Sequence, residues 1–378
     1  MILKNGRLVN EDFDLVQMDL RTEGDRIREI GANLTGEETL DCAGCIVTPG
    51  FVDVHIHGCV GADTCDGEEE SIRKMARHLV TKGVTSFCPT TMTVSTEEIR
   101  AALRAARGCM DHPQEGARVL GVNMEGPFIS AKKKGAQKEE YVRNPDWELF
   151  RSLYEDCGGI VRLVDIAPGC EGAQTFVERA KELCTVSIAH TEADFEQAKQ
   201  SFAWGITHAT HLYNAMSGLT HRAPGVVGAV MDTPSVRAEL ICDGFHINPA
   251  VLRITFRILG EDRTVVVSDS MRAAGQPDGD YDLGGQMVQV RGGHALLPDG
   301  TIAGSTTNLH DELKNLLSFG IPFRQAVKSV TINPAREADA ADRVGSLAPG
   351  KLADAVVLDA ATYDIRFVLM NGSVVYRA

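Results

Sequence analysis

No stretch of the sequence comes near the ~20 consecutive apolar residues that a membrane-spanning helix needs. Nor is there a surplus of positive charge: 38 Lys and Arg stand against 52 Asp and Glu, a net charge of −14. That balance argues against nucleic acid or an anionic membrane as the main partner, because both select basic faces. Internal repeats and low-complexity segments are missing too. The ten cysteines are scattered, and Cys42-Ala43-Gly44-Cys45 has no second C-x-x-C with which to build a zinc cage. They read as buried thiols of a reducing compartment. Met1–Asn10 reads as a short strand and turn without the apolar core of a secretion signal, so the expected location is the cytoplasm.

What is present is an ordinary globular composition, 43% apolar and 24% charged over 378 residues, enough for one large domain and a smaller one. The chain is organised around Thr48–Gly58, TPGFVDVHIHG. Pro49-Gly50 punctuates the chain, and Phe51–Val54 is rich in β-formers and too short for a helix. His55 and His57 follow. Side chains alternate along a strand, so both imidazoles project from one face at one end. With 11 histidines in the chain, chance also supplies an H-x-H. Further ligands must join the pair to make a metal site.

Residues 1–47 read as short strands, Ile2-Leu3, Arg7–Val9, Val16–Leu20, Arg26–Ile30 and Cys45–Val47. The C-terminus has the same texture in Ala353–Leu358 and Ile365–Leu369, and Asn371-Gly372 turns into Val374–Arg377. Neither piece buries a core alone. Both are expected to pair into one small β-sandwich of residues 1–50 and 344–378, with 51–343 inserted between them. Within the insert, strand-like runs fall at 51–57, 84–88, 118–124, 160–166, 185–189, 206–210, 236–241 and 264–268. Helix-length segments such as Glu68–Thr81, Thr96–Cys109 and Phe176–Leu183 lie between most of them. This alternation predicts an α/β fold, a (β/α)8 barrel of the TIM type. A doubly wound open sheet would carry a glycine-rich phosphate turn after its first strand, where this chain has His-Ile-His-Gly. Gly284–Gly304 reads as an appended hairpin, and helical patterns return at His310–Phe319 and Arg324–Ser329.

Barrel active sites are built at the C-terminal ends of the strands. The first expected strand ends in His55 and His57, the third in Glu125, the fifth in His190, the sixth in His211, the seventh in Asp243–His246 and the eighth in Asp269. Taken singly, Glu125 reads as a solvated loop carboxylate, His190 or His246 as a core histidine, and Asp269 as a helix cap. Independent accidents do not keep choosing the same end of successive strands. By ligand type the ring is a hydrolytic metal centre. His208, three before His211, points to the opposite face of a strand and reads as packing or as support behind the metal ligands. His78, His112, His221, His294 and His310 read as structural or solvent-facing.

TPGFVDVHIHG, MEGPF, the lone His190, THLYNAM, DGFH and VSDS together resemble the amidohydrolase superfamily and, within it, the N-acetylglucosamine-6-phosphate deacetylases. The resemblance runs over essentially the whole chain. H-x-H and a strand-end Asp are general to the superfamily, whereas EGPF, THLYNAM followed by an Arg-x-Pro-Gly, and DGFH are much more specific to the deacetylases. It implies that Glu125, His190 and His211 hold a principal divalent metal and that His55 and His57 hold a second, with Glu125 bridging. One or two ions per chain follow, zinc ahead of iron, manganese or cobalt. The substrate, a small amino-sugar phosphate, would meet Asn214, Ala215, Arg222 and the loop Asp243, Gly244, Phe245 and His246. Ile302, Ala303 and Gly304 would line its far side. Arg222 is expected to reach the neighbouring subunit's site, which implies a homodimer.

The implied reaction is hydrolysis of the acetamide. A metal-activated hydroxide attacks the carbonyl, and Asp269 serves as general base and then general acid. One departure stands out. The family's K-K-G-[AT]-H is here Lys133-Lys134-Gly135-Ala136-Gln137. Ala136 and Gln137 are expected at the acetyl or sugar contact, where the Gln137 amide donates a hydrogen bond but carries no proton. An amidohydrolase for a cyclic amide or another N-acyl sugar would share the metal ring and differ at Arg222 and Asn214. A non-catalytic barrel scaffold would have lost ligands that are all present here. A plain sugar-phosphate binding module leaves Asp269 unexplained.

Overall fold

Eight short parallel strands frame the site: β1 (Phe51–Ile56), β2 (Val84–Thr91), β3 (Val122–Met124), β4 (Val161–Ile166), β5 (Thr185–Ile188), β6 (His208–Ala209), β7 (Arg237–Leu240) and β8 (Thr264–Val266). A computed structural model of the chain describes residues 1–112 and 115–378. Each strand pairs in parallel with the next, from β1–β2 to β7–β8. Past the strand ends the ring closes by backbone bonds, Asp269 N–H to the His55 carbonyl and His57 N–H to the Ser270 carbonyl, both 2.9 Å. Asp53 bridges the same seam, accepting from the N–H groups of His55 and Ser268 at 3.3 Å. The expected (β/α)8 barrel is the fold.

The helices follow the strands in turn: α1 (Glu69–Thr81), α2 (Thr96–Asp111), α3 (Trp147–Asp156), α4 (Ala173–Ala180), α5 (Phe195–Trp204), α6 (Gly225–Met231), α7 (Pro249–Leu259) and α8 (Leu309–Ser318). Local sequence sets their starts. Ser95 and Glu98 form a reciprocal capping box at α2, and Asp194 and Gln197 do the same at α5. With helices outside and side chains within, β1 and β2 are buried along their whole length.

Two further α-helices follow, α9 (Phe323–Val330) and α10 (Ile332–Glu337). α10 lies across the N-terminal end of the barrel, where the Glu337 carbonyl accepts from Thr185 Oγ1 at 3.1 Å and its carboxylate pairs with Arg237. Ala335, Ala338, Ala340 and Val344 share one apolar cluster there with Val52, Leu120, Leu163 and Val265. Above this apolar plug comes a buried polar layer of Asp165, Ser187, His208, Thr210 and Glu239. The strand-end residues lie above that.

Strands from both chain ends share one six-stranded sheet, in which Cys45–Pro49 pairs with Arg7–Val9 on one side and Ala355–Asp359 on the other. A four-stranded sheet of Ile2–Lys4, Asp19–Glu23, Arg26–Gly31 and Thr39–Asp41 packs with it around Leu3, Leu8, Leu20, Val47, Val357 and Leu369. The expected strand Val16–Leu20 is two strands. Leu15–Gln17 belongs to the larger sheet and Asp19–Glu23 to the smaller, with the exposed Met18 at the switch. Thr39–Asp41 was not anticipated; its parallel pairing with Ile2–Lys4 is nonlocal and leaves no local pattern. The run 118–124 also breaks, into Arg118–Val119 and β3, at Gly121, whose φ is +156°. The expected hairpin at 284–304 is a three-stranded antiparallel sheet, Gly279–Leu283, Gln286–Arg291 and His294–Leu296. Among the described residues no helix is long and apolar enough to cross a membrane.

Leu163 is fully buried within the plug of the barrel. Leu163→Ala leaves a cavity there and is expected to lower the unfolding free energy by about 2–5 kcal/mol, read as a fall in the urea midpoint at unchanged slope.

Candidate metal centre

The strand ends deliver their side chains to one point. Two groups lie close enough to hold an ion, His55–His57–Glu125 and Glu125–His190–His211, and Glu125 belongs to both. Its Oε1 sits 3.0 Å from Nε2 of His190 and 3.0 Å from Nε2 of His211, which are 3.2 Å from each other. Its Oε2 sits 3.2 Å from Nε2 of His57. Asp269 Oδ1 lies 3.2 Å from His57 Nε2 and 3.5 Å from His55 Nε2. All six residues are buried.

Backbone conformation makes this convergence. His190, His211 and Asp269 leave their strands with φ of +42°, +28° and +47°, a left-handed region that costs a non-glycine residue energy. The cost turns three side chains inward over the barrel mouth. Glu125 is followed by Gly126 at φ +77°, where a Cβ would meet Thr93 Oγ1 at 2.0 Å, so the turn after the carboxylate admits only glycine.

The outer nitrogens of three of the four rings are already engaged, while His211 Nδ1 has no hydrogen-bond partner. His55 Nδ1 faces Glu239 Oε2 at 2.9 Å, His57 Nδ1 the Thr90 carbonyl at 3.3 Å, and His190 Nδ1 the Lys133 carbonyl at 2.8 Å. Each acceptor there calls for an N–H on Nδ1, which leaves Nε2 as a bare lone pair. These lone pairs point at carboxylate oxygens and at one another, which is repulsive unless a cation lies between. His55 Nε2 has no hydrogen-bond partner at all. Ligand atoms about 2.1 Å from a tetrahedral ion sit roughly 3.4 Å apart, the range found here. The residues fit a divalent metal.

Electrostatics agree. Burial alone would raise the Glu125 pKa, yet protons donated by His190, His211 and His57 and the charge of His55 hold it well below the usual carboxylate range, the part a bound cation takes over once the Nε2 atoms are bare. Burial likewise opposes charge on Asp269, and the facing His57 and His55 hold it down. Beneath them, burial drives Asp165 well above its usual range, with Glu125 and Glu239 repelling its charge.

Two features escaped the sequence reading. Glu239, mid-strand in β7, takes His55 on one oxygen, and that same oxygen accepts the His211 N–H at 3.1 Å. A single buried carboxylate in an apolar strand carries no motif. The expected face of His208 is corrected: it points into the barrel interior, with Nδ1 3.0 Å from Ser187 Oγ and Nε2 3.9 Å from Glu239 Oε1, behind the ligand His55. β6 stops at Ala209, so the alternation that put His208 and His211 on opposite faces does not extend to His211.

The model of the amidohydrolase family matches residues 46–376. This chain is an amidohydrolase. It is 36% identical over 339 residues to the N-acetylglucosamine-6-phosphate deacetylase of Bacillus subtilis strain 168, covering 88% of this chain and 85% of that one. It is 34% identical to the N-acetylgalactosamine-6-phosphate deacetylase of Escherichia coli O157:H7, covering 84% and 85%. The N-acetylglucosamine-6-phosphate deacetylase structure of Thermotoga maritima superimposes with a TM-score of 0.91 at 31% identity, over the full length of both chains.

In this amidohydrolase the metal centre opens into a cavity of about 510 Å³. Of the expected substrate residues, Ala136, Gln137, Asn214, Ala215, His246, Ile302 and Gly304 line it. Asp243 stands behind, its carboxylate accepting from His246 Nδ1 at 2.7 Å and from the N–H groups of Phe245 and His246 at 2.8 Å. Ala303 is buried beneath the wall, and Phe245 stacks on His294 at 3.9 Å between centroids. Gly244 and the exposed Arg222 do not line the cavity. Lys132, Lys133, Lys134 and Thr301, none of them anticipated, do line it.

Zinc at about 100 times its Kd should stabilise the metal-free protein by about 2.7 kcal/mol, read as a rise in melting temperature. Glu125→Ala should abolish that rise. A rise of equal size in the variant would remove Glu125 from the ligand set.

Proposed function

We propose that this amidohydrolase removes the acetyl group of N-acetyl-D-glucosamine 6-phosphate, giving D-glucosamine 6-phosphate and acetate. The observation that carries the reading is the pair of ligand groups sharing Glu125, with Asp269 3.2 Å from His57 at the floor of a sugar-sized cavity. The activities of the relatives supply the substrate class.

In this reading His190, His211 and Glu125 would hold the principal ion, and His55 and His57 with the same Glu125 would offer a second position. A divalent ion bound there supplies a water acidified toward a pKa of ~7 and a positive charge beside the carbonyl oxygen, with zinc ahead of iron, manganese or cobalt. Asp269 Oδ takes the proton of the attacking water and returns it to the departing nitrogen, which leaves as an amine. Water cannot expel the amide nitrogen without that proton. His246, its Nδ1–H given to Asp243, turns Nε2 to the sugar hydroxyls as an acceptor, and Asn214 and Ala215 hold the opposite side.

Arg222 lies outside its own cavity, which suits a guanidinium that reaches the 6-phosphate of a second copy in a homodimer. Its planar fork matches a phosphate in a bidentate way that an ammonium does not. The ten cysteines are all free thiols, as a reducing cytoplasm maintains.

The deciding experiment measures metal per chain and acetate release from N-acetylglucosamine 6-phosphate, its unphosphorylated form and the galactosamine epimer. Bound ion with preference for the phosphorylated glucosamine is expected. Preference for the epimer would move the assignment to the activity named for the E. coli relative. Bound metal without release from any of the three would overturn it. Asp269→Asn should keep its ion and lose about 10²–10⁴-fold in kcat. Arg222→Lys should raise KM several-fold with kcat little changed, and an unaltered KM would remove Arg222 from the phosphate site.

A further inference from the structure

The side chain of Gln137 is 2% exposed and held at both ends. The Thr93 backbone N–H, which only donates, meets its amide oxygen at 2.7 Å. The amide nitrogen therefore faces the other way and donates to Glu125 Oε2. The two partners dictate the orientation, since a flipped amide would set N–H against N–H and oxygen against carboxylate.

We infer that Gln137 is a positioning residue for the shared carboxylate of the metal centre, and that its amide is committed to Glu125 rather than to the acyl group of a substrate. Glu125 has to present one oxygen to His190 and His211 and the other to His57. Rotation of its carboxylate would break both groups at once. The N–H of Gln137 on Oε2 blocks that rotation. The loop bearing Gln137 also holds a ligand ring: Ser130 N–H donates to the His190 carbonyl at 2.9 Å, and the Lys133 carbonyl takes His190 Nδ1–H at 2.8 Å. Farther along, Gln286 of the three-stranded sheet donates to the Ala136 carbonyl, which anchors the loop from outside the barrel. One segment, 130–137, thus fixes a neutral and an anionic ligand of the same ion.

The requirement at position 137 is an acceptor and an N–H donor on one rigid, uncharged planar group. A carboxamide has both, and so does a neutral imidazole, whose two nitrogens are spaced about as far apart as an amide's oxygen and nitrogen. This accounts for a glutamine standing where the resembling family has a histidine. Methionine has the length without the donor, and asparagine has the donor without the reach.

The test titrates metal-free protein with zinc or cobalt by calorimetry, for the parent chain and for Gln137→Met, Gln137→Asn and Gln137→His. Loss of an outer hydrogen-bond partner costs a metal site about 10–100-fold in affinity, and that loss is expected for the Met and Asn variants. The His variant should stay within about threefold of the parent, because the donor and acceptor return. If the Met variant does not fold, the comparison of Asn with His decides. Unchanged affinity in Met and Asn variants whose urea midpoints match the parent would overturn the inference. So would a raised KM at saturating metal with metal affinity intact, the behaviour of a substrate contact. The titration rests only on the ligand set and the KM arm rests on the proposed deacetylation, so a chain that binds metal but releases no acetate fails the functional reading and leaves this inference standing. Absence of any metal binding by the parent would overturn both.

Discussion

Four imidazole nitrogens and the two oxygens of Glu125 are packed inside a few ångströms, all as lone-pair donors, at the buried floor of the cavity. Such an arrangement is unfavourable without positive charge at its centre, and most of the upper barrel exists to impose it. The outer ring nitrogens of His55, His57 and His190 are tied down so that the inner ones stay bare. Three residues hold left-handed backbones to keep their side chains inward. The strain is stable because each of these groups is held by more than one neighbour.

The barrel makes that over-determination affordable by separating its tasks in layers. The apolar plug at the N-terminal end supplies cohesion through burial, and the polar layer above it sets orientation. Glu239 shows how the layers connect: one oxygen touches a ligand ring on β1 and the backbone of a ligand just past β6, so three strands keep a common register. The closing seam between β8 and β1 does the same for His55 and Asp269, whose backbones are bonded directly. A shift of one strand by one residue would turn its ligand to the other face.

Much of this was legible in the chain. The eight strand-like runs, the ligand residue types and the end of each strand at which they sit all follow from local pattern, because a strand's period of two and a helix's of 3.6 are local properties. What resisted reading is nonlocal. Thr39–Asp41 is a strand only because Ile2–Lys4 lies beside it. Met18 divides two strands because two sheets claim the residues on either side of it. Glu239 looks like any interior residue until His55 and His211 are brought to it. His208 defied the alternation rule because β6 is only two residues long.

The sequence by itself therefore determined the fold class and the list of metal-ligand candidates, since both rest on residue type and spacing along the backbone. Tertiary structure alone decided which oxygen of Glu125 faces which histidines, which ring nitrogen is left bare, and whom Gln137 touches. Those are matters of angles between side chains far apart in the chain, from Thr93 to Glu239. Nothing in the residues next to each of them encodes that geometry; it exists only once the barrel has closed.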